Sequence, residues 1–248
     1  MARRNDSTPV VEFAENLESV FERGAGWVGA HPQQVLIGIG AVLLVAAGVG
    51  ALGSLQERRA HAAEAEVAGV YDAYLAAMGA SPGAREVPEP ANPEVGRKTR
   101  AEFAAKLLVA TSAHDASAAA VVGRLQAATL LETNGDADGA FQARELAAKH
   151  APRGSGVAAI ALTRYGVALE AKGNLAEAAK AFADAGEIDS PGRALALADA
   201  ARCEAQLGNR ARALELFARA EKLGGEAIPV YVRQRLVELR VGSPSPPK

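Results

Sequence analysis

Two fourteen-residue stretches constrain this chain more than any other feature in it. KGNLAEAAKAFADA begins at Lys172 and LGNRARALELFARA begins at Leu207, 35 residues later. Seven of the fourteen positions are identical: the Gly, the Asn, the Phe and four Ala. A period of this length belongs to units that cannot bury an apolar face alone and must stack on a neighbour. In the copy around Lys172, Leu162, Tyr165, Gly166 and Leu169 share the face of a first helix. Gly173 and Asn174 make a turn, both residue types tolerating left-handed backbone. Ala178, Phe182 and Ala185 then mark a second helix, and Pro191 falls just past its end. The copy around Leu207 repeats the order with Leu197, Ala200 and Ala201, the turn Gly208-Asn209, then Ala213, Phe217 and Ala220.

A degenerate copy precedes them. Asn134-Gly135-Asp136 is the equivalent turn, with Ala127, Ala128 and Leu131 before it and Ala140, Ala147 and Pro152 after it, but Arg144 stands where the Phe would be. From turn to turn the offsets are 38 and 35 residues. Helix, turn, helix with small residues at the crossing points resembles the 34-residue tetratricopeptide repeat. Composition agrees: the apolar fraction is 49% but aromatics are only 4%, which suits closely packed helices and leaves too few strand-favouring residues for a large sheet. A last helix, about Ile228 to Val241, is expected to cap the array.

From Pro32 to Gln56 there is no charged residue, and the apolar core Val35–Leu55 is 21 residues long. At about 1.5 Å per residue it reaches roughly 31 Å, close to the hydrocarbon thickness of a bilayer. Backbone groups in lipid must bond internally, so the stretch predicts a transmembrane helix despite its glycines. A cleaved signal peptide fits less well, because 34 residues with five acidic side chains precede Val35. Ala46, Gly50 and Ser54 recur every fourth residue and could form a helix-packing face, or could reflect only a chain rich in small residues. Glu57, Arg58 and Arg59 after the span do not settle its orientation, since a domain of this size translocates regardless of local charge.

The expected organisation is all-α: a single N-terminal transmembrane helix followed by an α-solenoid of tetratricopeptide-like hairpins. Residues 1–31 form a tail with a short amphipathic helix over Val10–Phe21, acidic on its polar side. Residues 32–56 are the span, 57–80 a juxtamembrane helix and 81–96 a Pro-rich loop. Residues 97–242 are the repeat domain, and 243–248 a disordered Pro/Ser tail.

No chemistry stands out. The four histidines are scattered, and His61 with Glu64 on one helix face makes too few ligands for zinc. His114-Asp115 reads as a solvated pair in a turn. Cys203 is the only cysteine; an internal disulfide is excluded, and a buried apolar role is expected. There is no phosphate loop and, at a formal net charge of −2, no footprint for nucleic acid. No enzyme activity, cofactor or metal is expected. Binding is the better expectation. First helices line the inner face of such arrays, and by register that face holds Val122, Leu125, Ile160, Thr163, Val167, Leu195, Ala198 and Arg202. It is either an open apolar groove for a partner chain or a core covered by residues 57–80 and 97–112.

The acidic tail, single anchor and soluble repeat domain together resemble the YfgM-like ancillary Sec-translocon subunit family, over roughly Phe13 to Leu239. The resemblance implies an N-terminus in the cytoplasm and a repeat domain in the periplasm of a bacterial inner membrane. Exported chains, the translocon and periplasmic chaperones would be its partners. The alternative is a structural scaffold: an oligomeric anchor held by Ala46, Gly50 and Ser54 that organises an envelope complex.

Overall fold

Alternating small and bulky apolar residues at helical spacing, cut by Gly-Asn and Pro-Ser punctuation, leave this chain few options besides short helices laid side by side. The structure is a computed structural model. It describes residues 32–81, 86–224 and 228–241, and side chains from Ser54 to Arg240 except those of Arg235 and Leu239. The helices are α1 (Pro32–Ala77), α2 (Pro93–Ser112), α3 (Ala118–Thr133), α4 (Ala137–His150), α5 (Gly156–Ala171), α6 (Leu175–Glu187), α7 (Arg193–Gln206), α8 (Arg210–Gly224) and α9 (Val230–Val241). Two compact units divide between Glu57 and Arg58. The first contains the described stretch 32–57 of α1, and the second holds the remaining described helices.

Helix starts follow local chemistry. The side chains of Ser117, Asp136 and Ser155 accept hydrogen bonds from the amides of Ala120, Gly139 and Ala158, closing the first turns of α3, α4 and α5. Asn92 does the same for α2 through the amide of Glu94. Pro93 then occupies the first helical position, where its missing N–H costs nothing. The Pro-rich loop therefore stops at Asn92, four residues short of the expected limit at 96.

The turns inside the hairpins are copies of one another. Gly135, Gly173 and Gly208 have φ of 83°, 79° and 81°. In each, the next amide reaches back to a carbonyl five residues earlier: Asp136 to Leu131, Asn174 to Leu169 and Asn209 to Glu204, all at 2.9 Å. A fourth copy exists that the repeat spacing hid. Gly79 has φ 81°, and the Ala80 amide donates to the Leu75 carbonyl at 2.9 Å. The end of α1 and α2 thus form a hairpin of the same design, stretched by the loop to 56 residues between turns (135 − 79). What the sequence presents as a juxtamembrane helix is the first helix of a repeat.

Register carries into the second helices. Four residues past the caps Asn92, Asp136, Asn174 and Asn209 stand Gly96, Ala140, Ala178 and Ala213, all buried. Eight residues past them stand Arg100, Arg144, Phe182 and Phe217. The two Phe are fully buried. A Cβ at Gly166 would lie 2.8 Å from the Phe182 ring, so glycine lets α5 and α6 cross there. Ala128 and Ala201 hold that position in the neighbouring hairpins. The two Arg bond instead. Arg144 pairs with Glu132, while buried Arg100 donates to Asn134 Oδ1 at 2.8 Å and to both Glu89 oxygens.

The core is divided along the array. Val67, Tyr74, Met78, Phe103 and Leu107 join α1, α2 and α3, and Leu169, Phe182, Leu197, Phe217, Val232 and Leu236 join α5 to α9. Smaller groups around Val121, Ala147 and Ala161 and around Ala140 lie between them. Among the described residues the fold is an all-α, tetratricopeptide-like helical repeat. Among them, too, no helix is long and apolar enough to cross a membrane. The span expected over Val35–Leu55 lies on α1 residues whose side chains, before Ser54, fall outside the description, as do Val10–Phe21 and 243–248.

Candidate functional site

Stacked hairpins expose one face of their first helices, α1, α3, α5 and α7, and two cavities open there. The larger, about 700 Å³, lies between α5 and α7. The sequence-predicted residues Ile160, Thr163 and Leu195 line it together. Ile160 is 54% exposed, whereas Thr163 is half-buried and returns its hydroxyl to the Ala159 carbonyl at 2.8 Å. The smaller cavity, about 450 Å³, lies between α1 and α3, and Val122 lines it. Ala118, at the start of α3, borders both.

The remaining predicted residues part company. Val167 is 52% exposed but lines neither of these cavities. Leu125 is half-buried against Val121, Ala147 and Ala161. Ala198 is fully buried and presents no surface to a ligand; small residues on α7 face the neighbouring helices on several sides at once. Arg202 is engaged within the fold rather than offered to a partner. It makes two bonds to Glu170 of α5, one at 2.8 Å, and a third at 3.2 Å to Asp199. Of the two alternatives for this face, Val122 and Ile160 are exposed as an open groove requires, whereas Ala198 is buried as in a covered core.

Electrostatics around Arg202 run in opposite directions. Its hydrogen bonds hold the Glu170 carboxyl below its usual range. Burial raises the Asp199 carboxyl above its usual range, although Arg202 opposes the shift. Cys203 beside them is buried, and desolvation pushes its thiol up to about 11. These groups form a structural clasp between adjacent hairpins.

Sequence reasoning missed part of the larger cavity. Ser190, Pro191 and Gly192 lie in the loop between hairpins, and Ser155 and Gly156 lie at the equivalent place one repeat earlier. The signal was present in that shared register, but attention to helix faces passes over connecting loops. His114 and Asp115 also differ from a solvated pair: His114 Nε2 lies 2.9 Å from Glu66, and Asp115 bonds the buried Arg124 guanidinium. Arg124 also donates to the carbonyls of Thr111 and Asp115, tying the end of α2 to α3. Among the described residues no group of three or more His, Cys, Asp or Glu could hold a metal ion.

No family model and no curated protein matches the chain. Among solved structures it is similar to the kinesin light chain nearly identical TPR-like repeats of Podosopora anserina. The identity is 14% and the TM-score 0.44, over 60% of this chain and 84% of that one. A likeness at that level decides nothing about function. The assignment of the fold rests on the four turns with the same glycine conformation and the same hydrogen bond, and on the register they set.

Proposed function

We propose that this chain is a membrane-anchored, non-catalytic protein-binding module that assists protein export or envelope-protein folding beside the Sec translocon. The observation that supports it is the open apolar cavity between α5 and α7, walled by Val157, Ile160, Leu195 and Ala196. A large apolar side chain fully buried there would contribute about 1.5–3 kcal/mol, one part of the affinity for an extended chain that makes further contacts along the face. In this reading residues 32–56 are a single span in a bacterial inner membrane, and the tail before it is cytoplasmic. The repeats then work in the periplasm on exported chains, with the translocon or periplasmic chaperones as neighbours. The support for placing it there is the resemblance in domain order to the YfgM-like family.

A photo-crosslinking residue in place of Ile160, in living cells, tests the binding. Capture of many different exported chains is the expected result. A single fixed neighbour overturns the reading in favour of a scaffold. A C-terminal reporter active only outside the cytoplasm tests topology: activity is expected, and its absence removes the translocon from the proposal.

A further inference from the structure

The two cavities differ in chemistry although they share Ala118. The one between α1 and α3 has apolar walls in Ala60, Val67, Ala68 and Val122, but its charged lining is wholly acidic: Glu64 and Asp72, with no Lys or Arg. Among the described contacts the one basic side chain facing either carboxylate is His61, 3.9 Å from Glu64 and itself highly exposed. Tyr71 adds an aromatic ring to the same lining. The cavity between α5 and α7 is more apolar, and its single charged lining residue is Arg164.

We infer that the groove is directional and takes an extended peptide carrying a Lys or Arg a short distance from a bulky apolar residue. The cation enters between α1 and α3, the apolar residue between α5 and α7. This rests on the protein-binding reading above and names the chemistry of its partner. A Lys or Arg fits the first cavity because its aliphatic stem can lie along Val67, Ala68 and Val122 while its head meets two carboxylates and the Tyr71 ring. Arg164 repels a cation at the other end, which fixes the polarity of the bound segment. Both cavities border Ala118, so one short extended segment can reach the two of them.

The experiment titrates the full-length protein with fluorescent peptides bearing one Lys and one Leu, a few residues apart at graded spacings, in a Gly/Ser background. Matched peptides carry norleucine for the Lys, Glu for the Lys, or Ser for the Leu. The Lys–Leu peptide is expected to bind roughly five- to tenfold more tightly than the norleucine peptide, the size that exposed ion pairs and a cation–π contact supply. The Glu peptide should be weaker still, and added salt should shrink the differences. The double variant Glu64→Gln/Asp72→Asn, isosteric at exposed positions, should bind the Lys and norleucine peptides alike while keeping its native circular dichroism. A Lys preference surviving in that variant, or absent from the parent protein, overturns the inference. Ile160→Glu separates the two claims. If it abolishes binding of every peptide while charge makes no difference, the apolar groove stands and its directionality falls. If no peptide binds the parent protein, both fall.

Discussion

At Gly173 the chain turns between α5 and α6 with φ of 79°, a conformation in which a Cβ meets the following carbonyl. Space is not the constraint, because a Cβ there would touch nothing within 4 Å. Gly173→Ala is therefore expected to cost about 1–2 kcal/mol through backbone strain alone. Gly192→Ala, at an ordinary φ of −87° and equally open, should be nearly neutral; urea unfolding of both variants checks the contrast. Phe182 is the opposite case, a residue held by packing and fully buried against Gly166. Phe182→Ala should lose about 3–5 kcal/mol, seen in the same unfolding curves. The Cys203 thiol, buried and pushed up to about 11, should resist a thiol-reactive dye at pH 8 and react promptly in denaturant.

Between elements, the clasp of Arg202 on Glu170 joins α7 to α5. The Glu170 carboxyl lies below its ordinary value of 4.5 in the folded state. Its contribution to stability is thus present above that value and lost as pH falls through the lower folded value. Asp199 lies above its ordinary 3.8 because of burial, so its sign is reversed. Its favourable term is complete below 3.8 and disappears as pH rises through the folded value. In Arg202→Met, both carboxyls should titrate at higher pH than in the parent, since each loses the cation that lowers it. Stability should fall most near neutral pH, where both remain charged and unpaired. Carbon NMR of the two carboxyls checks the titrations, and urea unfolding at pH 7 and pH 4 checks the stabilities. Unchanged titration of Glu170 in the variant would show that the clasp does not form.

For the repeat unit as a whole, division of the core into an α1–α3 group and an α5–α9 group predicts uneven stability. In a stacked array each hairpin is stabilised by its neighbours alone, so damage spreads to the next hairpin and fades. Hydrogen exchange of Phe182→Ala should show amide protection lost across α5 to α8 and largely kept in α2. A uniform loss across all helices would instead reveal one cooperative block.

Much of the fold was legible because its rules are local. Gly-Asn pairs at the required turns, alanines at the crossings and Phe182 and Phe217 in register fix helix, turn and helix without reference to distant residues. The hairpin at Gly79 was not legible, because the inserted loop broke the period and Arg100 replaced the aromatic that would have marked it. Only the folded chain explains that replacement. Arg100 reaches Asn134 of the next hairpin and Glu89 of the inserted loop at once, partners 34 and 11 residues away. The site was half legible for a related reason. Periodicity identifies which residues share a helix face, and so found Ile160, Thr163 and Leu195. Whether a face is open, clasped like Arg202 or closed like Ala198 depends on how far apart neighbouring first helices stand. That spacing is set by side chains from several helices packing together, so the tertiary structure alone decided it.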